Sequence, residues 1–192
     1  AMLTHGNLAS NALTLDEFWG FAAERAAGRQ DVLLHALPLF HVHGLFVASH
    51  AALLAGAKTL MLPKFDAAQV LERLPRSTVM MGVPTYYTRL LAEPAFDKAR
   101  CRSVRLFISG SAPLLAETHR EFEARTGHRI LERYGMSETV MLVSNPYFRE
   151  QGSRIAGTVG QPLPGVGVRV VREDGSVCPT GEIGSVEVRG PN

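Results

Sequence analysis

The sequence predicts an α/β fold: a mostly parallel sheet flanked by helices, followed by the start of a small β-rich subdomain. Three observations carry that expectation. Short apolar runs alternate with amphipathic segments over the first three quarters of the 192 residues, the pattern of βα units wound around a parallel sheet. Hydrophobic residues make up 46% of the chain, enough to fill a globular interior. Near residue 150 helical periodicity stops, and Gly157, Gly160, Pro162, Pro164, Gly165 and Gly167 punctuate the chain. A boundary is therefore expected between an α/β unit at 1–152 and a β-rich unit at 153–192.

The elements follow in order. Residues 2–5 read as entering a helix at once, without a cap. Val32 to Leu37 is an apolar run closed by Pro38, a buried strand. Gly44 to Ala55 is long and apolar, a buried helix with Gly56 at its C-terminal end. Thr59 to Leu62 is the next strand. Asp66 can cap a helix whose apolar face is Val70, Leu71 and Leu74, with Gln69 completing a capping-box-like pair. Thr78 to Val83 is a strand, and Pro84 opens a helix running to Glu93. Val104 to Ile108, the helix Leu114 to Arg125 with Gly127 beyond it, and the strand Arg129 to Glu132 complete the α/β part. Val166 to Val171, an Asp174-Gly175 turn and Ile183 to Val188 read as β-strands.

Composition excludes several function classes. Lys and Arg total 20 against 18 Asp and Glu, a formal charge of +2 with no basic block, so a nucleic-acid partner is not expected. Arg100, Arg102 and Arg105 read as a solvated face. The apolar stretch 45–57 is too short to span a bilayer, no signal peptide is evident, and Cys101 and Cys178 form neither a disulfide framework nor a thiolate metal site. The expected setting is the cytoplasm, without membrane association.

The chemistry concentrates in Glu132-Arg133-Tyr134-Gly135-Met136-Ser137-Glu138-Thr139. A strand end followed by Tyr-Gly presents an aromatic face and a backbone that can pass close to a flat ligand. Ser137 and Thr139 supply hydroxyls for phosphate oxygens, and the Glu138 carboxylate can hold Mg²⁺ beside them. Read bare, the segment is also compatible with a turn whose Ser137 caps a helix.

This stretch resembles the adenine and magnesium motif of the adenylate-forming superfamily of acyl-CoA synthetases, adenylation domains and luciferases. Other segments resemble the same family in order. Residues 37–44 resemble its acyl-pocket segment, and Ser109-Gly110-Ser111-Ala112-Pro113 the loop flanking adenine. Residues 157–165, 181–184 and 188–192 resemble its later structural motifs. The resemblance implies an ATP- and Mg²⁺-dependent enzyme that adenylates a carboxylic acid with release of pyrophosphate, then passes the acyl group to coenzyme A with release of AMP. It implies catalytic roles for Glu138 and Thr139, with Glu138 as the magnesium ligand. It implies nucleotide contacts from Ser111, Ala112, Pro113 and 132–137, and substrate contacts from His41, Ser109 and Gly110. His43 reads as structural.

Pro84-Thr85-Tyr86-Tyr87-Thr88-Arg89-Leu90 resembles the malonyl-CoA synthetase version of its helix. That resemblance makes the substrate a small dicarboxylic acid, malonate with methylmalonate tolerated. It also makes Arg89 the guanidinium that meets the spare carboxylate, facing Glu138 across one cleft. Read bare, Arg89 pairs with Glu93 on an exposed helix face. The family's phosphate loop, ribose motif and catalytic lysine are not recognised in these residues, so the isolated segment is expected to be inactive. The alternatives are the same chemistry on acetate or a fatty acid, and a non-catalytic nucleotide-binding fragment. A dinucleotide oxidoreductase is disfavoured because no Gly-x-Gly-x-x-Gly lies between a strand and a helix. The oligomeric state is not addressed by the sequence.

Overall fold

A computed structural model describes residues 2–192. Helices α1 (His5–Phe18) and α2 (Phe21–Ala26) lead into β1 (Val32–His35). A π-helical segment, His43–Ser49, runs into α3 (His50–Leu54), followed by β2 (Lys58–Met61), α4 (Ala67–Arg73), β3 (Val79–Gly82) and α5 (Pro84–Leu91). Then come β4 (Leu106–Ser109), α6 (Ala116–Thr126), β5 (Leu131–Tyr134), β6 (Val143–Ser144), β7 (Gln161–Pro162), β8 (Gly167–Val171) and β9 (Ser185–Arg189).

Seven strands form one sheet in the order β2-β1-β3-β4-β5-β6-β7. The first five are parallel, and β6 and β7 are antiparallel. Because strand side chains alternate between faces, each apolar run feeds two cores. Leu34, Met80, Phe107 and Ile130 pack on the side that also buries Val70, Tyr87 and Phe122 of α4, α5 and α6. Leu33, Val79, Met81, Leu106, Ile108 and Leu131 pack on the side of Leu15, Trp19 and Ala51. Burial on both faces explains why these strands read as continuous apolar runs rather than alternating ones.

The cap assignments divide. Asp66 accepts from the Gln69 amide at 2.9 Å, and Gly127 ends α6 in the left-handed conformation, both as expected. The first helix, however, is capped: Thr4 accepts from the Asn7 amide, and the Asn7 side chain returns to the Thr4 amide. Asn7 does what Glu or Gln does in the usual capping box, which is why the pattern was not recognised. The predicted helix 44–55 is divided for a definable reason. The Ser49 hydroxyl donates to the Gly44 carbonyl at 2.8 Å, and His35 Nε2 lies 3.1 Å from the same oxygen. Side chains that claim a carbonyl inside the ladder widen the turn there.

One further expectation is corrected. Arg105 is not a solvated face residue: it makes a bidentate pair with Asp31, at 2.9 and 2.7 Å, while donating to the Trp19 carbonyl at 3.0 Å. Only 15% of its side chain and 5% of that of Asp31 remain exposed. Beyond residue 152 the strand pairings are of two kinds. β7 pairs with β6 in the main sheet, and the separate two-stranded sheet, β8 with β9, starts at Gly167.

Because Asp31 also accepts from the Thr78 hydroxyl at 2.6 Å, removing its charge strands a buried guanidinium. Asp31→Asn is expected to cost about 3 kcal/mol of unfolding free energy, read from denaturant midpoints. A loss below about 1 kcal/mol would show the pair to be solvated in effect.

Candidate active site

A parallel sheet gathers the carboxyl ends of its strands along one edge. Here the sheet order 2-1-3-4-5 reverses direction between β1 and β3, and ligands of such sheets bind outside the carboxyl ends near that reversal. The segments leaving β1, β4 and β5 therefore carry residues 36–43, 110–115 and 135–141 to one place. A cavity of about 230 Å³ lies there, lined by His41, His43, Ser111, Arg133, Gly135 and residues 136–138, with Val47, Val140 and Met141 as apolar wall.

The 135–141 segment folds back on itself. Thr139 N donates to the Met136 carbonyl at 3.2 Å and Leu142 N to the Tyr134 carbonyl at 3.0 Å. A Cβ on residue 135 would lie 1.9 Å from the Val140 carbonyl oxygen, so only glycine fits. Val140 itself takes a left-handed φ of 54°, costly for a β-branched residue. The tight turn leaves Ser137 and Glu138 exposed on the cavity and Tyr134 38% exposed at the strand end. The Thr139 Oγ1 is buried without a partner among the described residues.

Arg133 is the most deeply buried charged side chain on the cavity lining. It is 5% exposed, and its Nε and Nη2 are buried and unpartnered among the described residues. Burial brings its guanidinium down to about 9, which still leaves it charged at neutral pH. Gly110 makes room for it, since a Cβ there would lie 2.4 Å from Arg133 Cζ. On the other side, His43 is 1% exposed. Burial, with the neighbouring Arg133 charge, pushes the imidazole well below its usual range, so it is neutral at pH 7. Its Nδ1 lies 3.2 Å from the Ser111 hydroxyl, and its Nε2 is unpartnered. Ser111 is held at a left-handed φ of 68°, strain of the kind stored at ligand sites.

Seven of the expected site residues thus line one cavity: His41, Ser111, Arg133, Gly135, Met136, Ser137 and Glu138. Others stand beside it. Ser109 is 1% exposed with an unpartnered hydroxyl, and Gly110 acts by leaving space. Glu132 points away: it is 5% exposed, and its Oε1 accepts from Gly157 N at 3.3 Å. Burial raises its carboxyl above the usual range, against the pull of the Gly157 and Leu114 amides. It clips the 157 turn to the sheet and does not face the cavity. Ala112 and Pro113 lie on the Ser111 loop outside the cavity lining.

Arg89 is not brought to this cavity. It is exposed on α5, with its guanidinium 4.7 Å over the Phe65 ring, which in turn stacks on Tyr86. No carboxylate pairs with it among the described residues, Glu93 included, so neither the shared cleft nor the helix-face pair is present. His43 was missed as a site residue. A lone buried histidine in an apolar stretch gives no signal until the Gly44 carbonyl is seen to be pulled out of the helical ladder. No group of three or more His, Cys, Asp or Glu could hold a metal among the described residues. Glu138 alone still fits Mg²⁺, which takes one or two carboxylates together with substrate phosphates.

The whole chain, residues 1–192, matches the family model described as AMP-binding enzyme. A malonate–CoA ligase of Arabidopsis thaliana is 40% identical, over 94% of this chain and 31% of that protein. A mitochondrial malonate–CoA ligase of Mus musculus is also 40% identical, over 91% of this chain and 31% of its own length. The ATP-bound MatB of Rhodopseudomonas palustris superposes with a TM-score of 0.93 at 55% identity, covering 100% of this chain and 37% of that one. The chain thus spans about a third of the length of the curated relatives it matches.

Leaving a charge without a partner in a closed site costs stability, about 1–3 kcal/mol. Arg133→Met, similar in length and apolar, is therefore expected to raise the denaturation midpoint. A lower midpoint would show that the guanidinium is satisfied in solution.

Proposed function

The chain belongs to the AMP-binding enzyme family, and from that premise we propose that it forms the acid- and nucleotide-binding part of an ATP-dependent ligase that joins malonate to coenzyme A. The observation that carries the choice of acid is the unpartnered, buried guanidinium of Arg133. A cation in a water-poor cavity favours an anionic ligand strongly. A monocarboxylic acid gives up its one charge when it is activated, whereas malonate keeps a second carboxylate throughout. As a lining residue Arg133 sets a positive charge against that carboxylate, and His43 lines the same cavity. The names of the Arabidopsis and mouse relatives point the same way.

The reaction has two halves. A carboxylate oxygen of the acid attacks the α-phosphorus of ATP, giving an acyl-adenylate and pyrophosphate. The thiolate of coenzyme A then attacks the acyl carbon, and AMP leaves with the electron pair of the broken C–O bond. Within this chain, Arg133 orients the acid so that its other carboxylate faces the nucleotide, which is catalysis by positioning. Ser137 and the free Thr139 hydroxyl can donate to phosphate oxygens as charge builds on them, and Tyr134 offers a face for adenine. Glu138 would hold Mg²⁺, which offsets phosphate charge when bound. Val47, Val140 and Met141 give the acid an apolar wall to pack against. Two free cysteines, Cys101 and Cys178, suit a reducing setting such as the cytoplasm. No helix among the described residues is long and apolar enough to cross a membrane.

The test is acid-dependent pyrophosphate exchange in the full-length enzyme with malonate, methylmalonate, acetate and butyrate. Arg133→Met is expected to lower kcat/KM for malonate by about 10- to 100-fold, the worth of a charge-assisted hydrogen bond, while the KM for ATP stays within about twofold. Unchanged malonate activation would remove Arg133 from the acid site. Arg89→Leu run in parallel separates the two cations: if it alone abolishes malonate use, α5 supplies the recognition after all.

A further inference from the structure

Four arginines distant in sequence converge at the opposite edge of the sheet, where the strands begin. Arg105 immediately precedes β4, Arg129 lies just before β5, and Arg149 and Arg154 belong to the link between β6 and β7. Together with His128 and Tyr147 they line a groove of about 620 Å³, large enough for a small phosphorylated molecule.

The charges there do not cancel. Arg105 is neutralised by Asp31 at 2.7 Å and Arg129 by Glu123 at 2.7 Å. Arg149 and Arg154 have no carboxylate partner among the described residues, and Glu123, already paired, is the one acid on the groove lining. Arg154 is moreover held in place: its Nε donates to the Pro146 carbonyl at 3.0 Å and its Nη1 to the Arg129 carbonyl at 2.6 Å. Carbonyl partners fix the guanidinium plane without removing its charge, and Nη2 is left over. Burial, aided by repulsion from Arg105, brings this guanidinium down to about 10, so it remains a cation at neutral pH. Its ring neighbour Tyr147 lies 5.0 Å from the Arg105 guanidinium and 5.9 Å from that of Arg154, so one aromatic ring borders both cations.

We propose that this groove binds a phosphate-bearing small molecule through Arg149 and Arg154, at a site separate from the crevice at the carboxyl ends of the strands. Forked guanidinium donors suit a tetrahedral, doubly charged oxyanion. Arg154 supplies a fixed positive charge and its remaining Nη2 donor, and exposed Arg149, on the turn Arg149–Gln151, supplies a fork from the rim.

The experiment is isothermal titration of the full-length protein, with its crevice saturated by AMP, using inorganic phosphate, pyrophosphate and adenosine 3′,5′-bisphosphate as separate probes. At least one is expected to bind saturably. Arg149→Ser should weaken that binding about fivefold or more, and Arg149→Lys should retain most of it, with AMP affinity unchanged in both. Which probe binds tightest separates a free phosphate from a nucleotide phosphomonoester. The proposal is overturned if no probe binds saturably, or if Arg149→Ser leaves the affinity of every probe intact.

Discussion

The buried charge of Arg133 is the constraint around which the candidate site is arranged. A guanidinium 5% exposed, with donors unbonded, is tolerated only where its surroundings make room and a ligand completes its bonding. Gly110 provides the room, since any Cβ would collide with Arg133. His43 provides a neighbour that stays neutral because it too is buried beside the cation.

The fold delivers these groups without a long-range design of its own. Parallel strands place every carboxyl end on one edge, and the order β2-β1-β3-β4-β5 opens a crevice where the connections diverge. What the sheet does not supply, local turns do. The Ser49 and His35 contacts to the Gly44 carbonyl widen the helix after β1 at the residue that follows His43. The reversal at 135–141, which only glycine at 135 permits, turns Ser137 and Glu138 back over the strand end. Two non-glycine residues in left-handed backbone, Ser111 and Val140, lie within this one cavity lining.

Joints beyond the cavity show the same economy. Glu132 sits in the nucleotide motif by sequence, yet its carboxylate holds the Gly157 amide. Asn145 adds the Thr158 carbonyl at 2.7 Å and the Ile155 amide at 3.2 Å. The glycine-rich segment after residue 152 is thus tied back to the main sheet before the β8–β9 hairpin begins. At the other edge, Asp31 and Arg105 bind the start of β1 to the start of β4 and to Trp19.

The sequence by itself determined the fold class, most of the strands and helices, and the segment that carries the nucleotide chemistry. These are local properties: strand apolarity, Asp66 and Gly127 at helix ends, and a contiguous Tyr134–Thr139 motif are readable residue by residue. The tertiary structure decided which cation lines the cavity, that His43 lines it too, that the Glu132 carboxylate turns to the Gly157 amide, and that Arg105 is buried. Each of these depends on which groups are desolvated together, and desolvation is a property of three-dimensional neighbours rather than of spacing along a chain. Arg89 and Arg133 carry the same guanidinium; one lies exposed over an aromatic ring and the other is closed off from water, and only packing makes that difference.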